Sequence, residues 1–370
     1  MWNAGSLPND TGVLTKVSSF RAPRVLAMTA MILLNGQPLA WAQEPSTSLS
    51  IKSDEAGERA KLFIALLKRR ADRILEAHRE PPPPLVSGSA GISEGFESNV
   101  NLDGARKGDI FTEESASLIF RPQLASWLKG EFSYGLLNTH FMEFRDSNLW
   151  SNSLSGVFQV QPHPRVRMDL GYEYGILNFP YDTNSSFFDQ RFKAHLLLSQ
   201  TSWLTHKVGW TYQYREYDTR LARDSDLNKI AGLNREDQRH GALYELQLRF
   251  PKTFARLGTE FYLNFSNDHF EDFYDFEDFR YRGMLTRIFN PKWLGTLSVS
   301  EERKNYQKRS VPTINVAERD DLWTLAGSVI YQLSTAFSMT YSLTYRHQDS
   351  NDPRLDFTDW VHQVGVSTSF

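Results

Sequence analysis

From Val86 onward, apolar side chains recur at every second position, segment after segment, for the rest of the chain. Ile110, Ala116, Leu118 and Phe120 form one row; Val166, Met168, Leu170, Tyr172, Tyr174 and Ile176 form another. Leu204, Val208, Trp210, Tyr212 and Tyr214 continue the series, and so do Ala242, Tyr244, Leu246, Leu248 and Phe250. Beyond Phe250 the apolar parity moves to odd numbers, as in Phe261, Leu263 and Phe265, or Phe337, Met339, Tyr341, Leu343 and Tyr345. A period of two is what a strand shows when its faces meet different surroundings. About fourteen such segments fit between Val86 and the C-terminus, an even number, as a closed single-chain barrel needs.

The connections alternate in length. Short ones carry turn residues: Arg121-Pro-Gln, Gln161-Pro-His-Pro, Pro251-Lys-Thr, Asn290-Pro-Lys and Ser334-Thr-Ala. Long, charged ones run over 99–109, 138–148, 178–188, 217–238, 268–276, 302–320 and 348–358. A soluble β-sandwich also alternates, but its strands are shorter and its turns do not sort this way. The expectation is therefore an all-β, antiparallel up-and-down transmembrane barrel of about 14 strands over 85–370.

Composition agrees. Mean hydropathy is −0.46, and no apolar run after residue 45 is long enough for a spanning helix. A barrel needs none, because its lipid-facing residues alternate with polar ones. Aromatic residues make up 13% and gather near strand ends, where interfacial girdles belong: Trp127, Trp203, Phe289, Trp293 and Phe337 by short turns, Tyr174, Tyr214, Phe279, Trp323, Tyr345 and Trp360 by long loops. Cysteine is absent, which excludes a disulfide framework, a thiolate metal site and a lipoprotein anchor. A net charge of −3 argues against nucleic acid as a partner.

Residues 1–42 read as a signal peptide. Lys16, Arg21 and Arg24 precede the apolar run Val25–Leu34, and Leu39-Ala-Trp-Ala42 places cleavage before Gln43. Residues 43–84 read as a periplasmic helix and proline spacer. Phe63, Leu67, Ala71 and Ile74 make one apolar stripe over 53–80, a helix about 40 Å long, and Pro81–Pro84 end it. Such a helix would be solvated, plug the barrel, or dock a periplasmic secretion partner.

The face opposite the apolar rows carries the functional information. Inward basic positions are Lys129, Arg165, Arg167, Arg191, Lys193, Lys207, Arg215, Arg249, Arg256, Arg280, Arg282 and Arg346. Inward acids are Glu113, Glu131, Asp169, Glu173, Glu245, Glu260 and Glu302, leaving an excess of about five positive charges. Such a lining would concentrate anions and form a solute pathway; alternatively, the charges pair across the interior and fill it. Gln213, Gln247, Tyr262, Asn264, Gln332 and Gln363 add hydrogen-bonding capacity for hydroxyl-rich solutes. Arg287 and His206 point outward but lie by short turns, where their heads reach the interface.

No metal or cofactor is expected. The acidic stretch 268–278 would sit at the lipopolysaccharide surface, bridged by cations, and its spacing fits no defined ion loop. Enzyme motifs are absent: no Gly-x-Ser-x-Gly, His-Glu-x-x-His or phosphate loop occurs. Outward His362 with Ser334 or Ser338 is the one arrangement that would suit a wall hydrolase, and a non-enzymatic role is expected.

Two resemblances add to this. The closing stretch Asp359-Trp-Val-His-Gln-Val-Gly-Val-Ser-Thr-Ser-Phe370, ending on an aromatic, resembles the last strand of bacterial outer-membrane β-barrels. It implies that Phe370 is the signal read by the barrel-assembly machinery. Gly95-Phe-Glu-Ser-Asn-Val-Asn-Leu102, followed by Gly108-Asp-Ile-Phe-Thr-Glu113, is similar to the opening of barrel domains in surface lipoprotein assembly modifiers and exopolysaccharide-export porins. One predicted helix stands where the modifiers carry helical repeats. These resemblances imply an outer-membrane barrel of a Gram-negative bacterium, embedded in lipid and lipopolysaccharide. It would pass anionic solutes or an anionic polysaccharide, or else translocate or present proteins or lipoproteins.

Overall fold

The computed structural model describes residues 84–102, 107–224, 228–268, 274–311 and 314–370. The predicted signal peptide, and the predicted helix over 53–80, lie outside the described residues. From Val86 the chain is strand after strand: β1 (Val86–Glu97), β2 (Asp109–Phe120), the three-residue β3 (Gln123–Ala125) and β4 (Leu128–Phe141). There follow β5 (Leu149–His163), β6 (Val166–Asn178), β7 (Phe187–Ser199), β8 (Leu204–Arg223), β9 (Lys229–Phe250), β10 (Thr253–Ser266) and β11 (Phe276–Asn290). Then come β12 (Trp293–Val311), β13 (Val316–Gln332), β14 (Phe337–Ser350) and β15 (Phe357–Ser369).

Each long strand pairs antiparallel with its sequence neighbour, β1 pairs with β15, and β2 pairs with β4 past the short β3. The sheet therefore closes, and fourteen strands make the wall. Closure leaves no edge, so every wall strand is hydrogen-bonded on both sides. Following the pairing once around returns to β1 about 18 residues further along. With standard strand spacing that shear gives a tilt of about 40° and a backbone diameter of about 28 Å.

The parity of the apolar rows obeys the same closure. Most pairings join residues of equal parity, as Leu154 with Tyr174. Two do not: β9–β10 sets Leu246 against Leu257, and β14–β15 sets Tyr341 against Val364. The first flip comes from a two-residue turn, Pro251-Lys252, with Phe250 opposite Thr253 and Lys252 at φ +60°. A ring must return to its starting face, so flips come in pairs. The move to odd parity after Phe250, and the return to even parity in β15, are these two events.

Large apolar side chains cover the outside: Ile92, Leu118, Leu154, Leu170, Val208, Trp210, Leu257, Val329, Val364 and Val366 are all exposed. In water a contiguous apolar belt of this kind would be a liability. Around a closed barrel it is the surface that acyl chains solvate. Its margins are aromatic, with Tyr345 against Trp360 and Trp293 against Tyr331 at centroid distances of 4.5 and 4.6 Å. Phe370 closes the last strand: its amide and carbonyl both pair with Gly88 at 3.0 Å, and its ring lies where a side chain on Gly88 would stand.

Two expected loops are strands instead. The span 217–238 is largely the continuation of β8 and β9, and 302–320 that of β12 and β13. These hairpins rise beyond the apolar belt, where the outward face meets water instead of lipid and its row turns polar, so the alternation no longer reveals a strand. Near the top of the second, Arg309 pairs with buried Glu318 at 2.7 Å. Burial pushes the Glu318 carboxyl up to about 7; Asp320 and Asp352 push the same way and Arg309 opposes them. A folded-state value above the unfolded one means stability is fully present below about 4.5 and is lost as pH rises through about 7. The β12–β13 tip is therefore expected to show slower amide exchange at pH 5 than at pH 8, after correction for intrinsic rates. Glu318→Gln should flatten that dependence, and an unchanged slope in the variant would refute the assignment.

Candidate functional site: the barrel interior

Inside the wall, neighbouring strands bring side chains two residues apart into lateral register, so charges meet across strands as well as along them. The inward basic residues are placed as follows. Arg167 forms an ion pair with Asp169 on β6 and donates to its Oδ2 at 3.1 Å. On β7, Arg191 reaches Glu173 at 3.4 Å and Asp189 at 3.6 Å, and Lys193 reaches Glu173 at 2.5 Å. Arg215 stands 3.8 Å from Asp189 and stacks over Phe187 at 3.8 Å. Lys207 is in register with Glu245, which Arg256 approaches at 4.0 Å. Arg280 contacts Asp278 and Glu302, and Arg282 bonds Glu260 at 3.1 Å. Arg346 is fully buried between Glu97 and Asp359.

Several of these acids were absent from the sequence reading. Asp189, Asp278 and Asp359 sit at strand ends, and Glu97 ends β1. Each lies against an arginine of the basic set, so much of the expected positive excess is neutralised where the strands meet the long loops. The uncharged donors are engaged as well. Gln213 donates to Asp189, Gln247 to Glu245, Tyr262 to Glu260 and Gln363 to Ser93. Asn264 donates to the Tyr274 carbonyl at 2.9 Å, and Gln332 to the Ser334 carbonyl.

Apolar packing inside the long-loop end was also not foreseen. Leu137, Leu149, Leu177, Phe187 and Tyr217 occupy inward positions of β4 to β8 and pack, with Phe179, into one buried cluster. Val100, Phe111, Phe141 and Val361 form another at the β1–β15 seam. Beside the first cluster, Arg235 on β9 lies 3.4 Å over the Tyr274 ring and 4.8 Å from that of Tyr217. The long-loop end of the interior is thus collared by packed side chains.

The short-turn end differs. Lys129 on β4, Arg165 just before β6 and Arg249 near the end of β9 are exposed and form no ion pair among the described residues. Arg167, beside them, remains about a third exposed despite its aspartate, its side chain showing 35% of its surface. Arg249 shares its surroundings with Arg167 closely enough for their charges to interact. The two ends of one tube therefore present different chemistry: neutralised and packed at one, cationic and solvated at the other.

The arrangement considered for hydrolysis does not form. His362 faces outward and its Nδ1 lies 3.1 Å from the Tyr341 hydroxyl. Ser338 sits on the opposite face of the wall, bonded to Ser367 at 2.8 Å, and Ser334 caps the β13–β14 turn. Among the described residues no group of three or more His, Asp or Glu is placed to hold a metal ion; part of the acidic stretch 268–278 lies outside them.

No family model matches this chain, and no curated protein matches it. Among solved structures it is similar to the translocator domain of the autotransporter NalP from Neisseria meningitidis, at 9% identity and TM-score 0.36, over 84% of this chain and 98% of that one. It is also similar to an anion-selective porin from Comamonas acidovorans, at 10% identity and TM-score 0.41, over 77% and 98%. A bacterial polysaccharide outer membrane secretin gives 12% identity and TM-score 0.39, over 76% and 97%.

Proposed function

We propose that this chain is an outer-membrane channel of a Gram-negative bacterium that passes anionic solutes, including an anionic polysaccharide, across its interior. The observation that carries this reading is the exposed cationic mouth at the short-turn end, built from Lys129, Arg165, Arg167 and Arg249. Short turns face the periplasm in barrels of this kind, so an anion arriving from the periplasm meets these charges first. A low-dielectric wall focuses their field and raises the local anion concentration. Of the twelve basic residues of the interior, those whose heads reach the water then act as the solute pathway, with their acidic partners setting how tightly an anion is held; Arg346, fully buried, is held in the wall. Phe370, 77% exposed at the end of β15, serves as the assembly signal.

Reversal potentials in planar bilayers under a KCl gradient test the proposal. The wild-type protein is expected to prefer chloride. The triple variant Lys129→Glu, Arg165→Glu, Arg249→Glu should reverse the sign of the potential while the protein still folds. A cation-selective wild type would contradict the reading. Absence of conductance would favour a second one, a barrel filled by its ion pairs, for which the Arg191–Glu173–Lys193 cluster is the supporting observation.

A further inference from the structure

On the arc from β15 to β4, charged and polar side chains interrupt the apolar belt of the outer wall. His362 on β15, Glu94 on β1, Glu114 on β2 and Asn138 on β4 all occupy outward positions of four adjacent strands. Glu94, Glu114 and His362 are exposed. Asn138 donates to Glu114 at 3.4 Å and lies 2.7 Å from Nε2 of His140. Glu94 makes no hydrogen bond or ion pair among the described residues.

Register and tilt set their depth. Phe96 is opposite His362 and Ile92 opposite Glu114. With a tilt of about 40°, the height lost along β1 and the height gained across the strands nearly cancel, and all four residues fall within about 4 Å of one level. That level lies below Trp360 and well above Phe120 and Phe370, about 5 Å from the middle of an apolar band about 25 Å tall. Carboxylates at that depth facing acyl chains are costly, and the cost is removed by a protein partner that covers and pairs them. Directly beneath, the wall carries small side chains: Ala90 on β1 stands opposite Ala116 on β2, with the Phe370 ring over Gly88 below them. Small residues at a lipid-facing surface let a second backbone approach closely.

We propose that this face joins copies of the same chain into a three-fold ring within the membrane, with His362 of each copy against Glu114 of the next. Angles select this occupant. In a three-fold ring, each subunit touches its neighbours along two directions 60° apart. One strand of fourteen subtends about 26°, so β15 and β2, flanking β1, point about 51° apart. The charges are complementary across that contact: a histidine held by Tyr341 on one side, a carboxylate held by Asn138 on the other. Glu94, on the strand between them, faces the axis, where three copies enclose a cleft shielded from lipid. The inference rests on the barrel alone and does not depend on what the interior carries.

The chain has no cysteine, so His362→Cys with Glu114→Cys introduces the only thiols. Within one copy these positions are two strands apart, at least about 9 Å, too far for a disulfide. Oxidation in native membranes is expected to give a non-reducing ladder that stops at three chains and collapses with thiol. Either single variant should stay monomeric. A double variant that remains monomeric, or dimers from a single cysteine, would overturn the ring. Because cysteine variants can misassemble, the wild type in nanodiscs supplies a second reading by native mass spectrometry. Three chains are expected, falling to one in Glu114→Leu and returning to three in Glu114→His with His362→Glu. One chain in the wild type would overturn the proposal.

Discussion

Arg346→Met is expected to destabilise the barrel by about 3–5 kcal/mol, the range for stripping one partner from a buried ion pair. Arg346 is buried on β14, and its guanidinium bonds Glu97 of β1 at 2.6 Å and Asp359 of β15 at 2.8 Å. Those three strands are where the first and last parts of the chain meet, so the triad ties the seam that closes the ring. Asp359 also accepts from the Ser98 hydroxyl at 3.0 Å and the Asn99 amide at 2.9 Å, fixing the chain where it leaves β1. Without the arginine, two carboxylates remain buried side by side. Denaturant titration of the protein refolded into lipid should show the loss, together with earlier disappearance of the compact, heat-sensitive band on gels. Adding Glu97→Gln and Asp359→Asn to Arg346→Met should recover much of the stability. If the triple variant were as unstable as the single one, loss of packing rather than stranded charge would be the cause.

The second large effect separates the two faces of one strand. Leu154 is exposed on the outside of β5 at the depth of mid-belt, next to Ser155, which faces inward and bonds Ser133 at 2.7 Å. Leu154→Arg is expected to cost about 2–4 kcal/mol in a bilayer, as for arginine near the midplane of a lipid-facing wall. Ser155→Arg places the same charge one residue away, in the hydrated interior, and should cost well under half as much. Equal costs at the two positions would mean that the faces are not differently solvated.

The difference between those neighbours was legible in the sequence, because solvent on one side and lipid on the other impose the period directly. The parity change after Phe250 and the return in the closing strand were readable for the same reason, although only closure explains why there are two. Pairing of charges was less legible. Asp189, Asp278 and Asp359 lie at strand ends, where strand and polar loop look alike, so they received no face and their arginines looked unopposed. The extended β8–β9 and β12–β13 hairpins are not legible because the outward rows of their outer halves face water and are polar, like loop sequence. Leu137, Leu149, Leu177 and Phe187 escaped notice because each adjoins an outward apolar residue, which blurs the alternation into a run. Glu94 and Glu114 sit within outward rows read for their apolar members, and their common level with His362 depends on the register of β15 with β1, a contact between the two ends of the barrel.

The wall divides space in two, with lipid outside it and water within. Nitroxide labels on single cysteines at Leu170, Leu246 and Val329, compared with Gln247 and Ser328, measure this division in a reconstituted bilayer. The first three should be relaxed by dissolved oxygen and shielded from a water-soluble nickel chelate, and the other two should show the reverse. Nickel access at Leu170, Leu246 and Val329 would contradict the account.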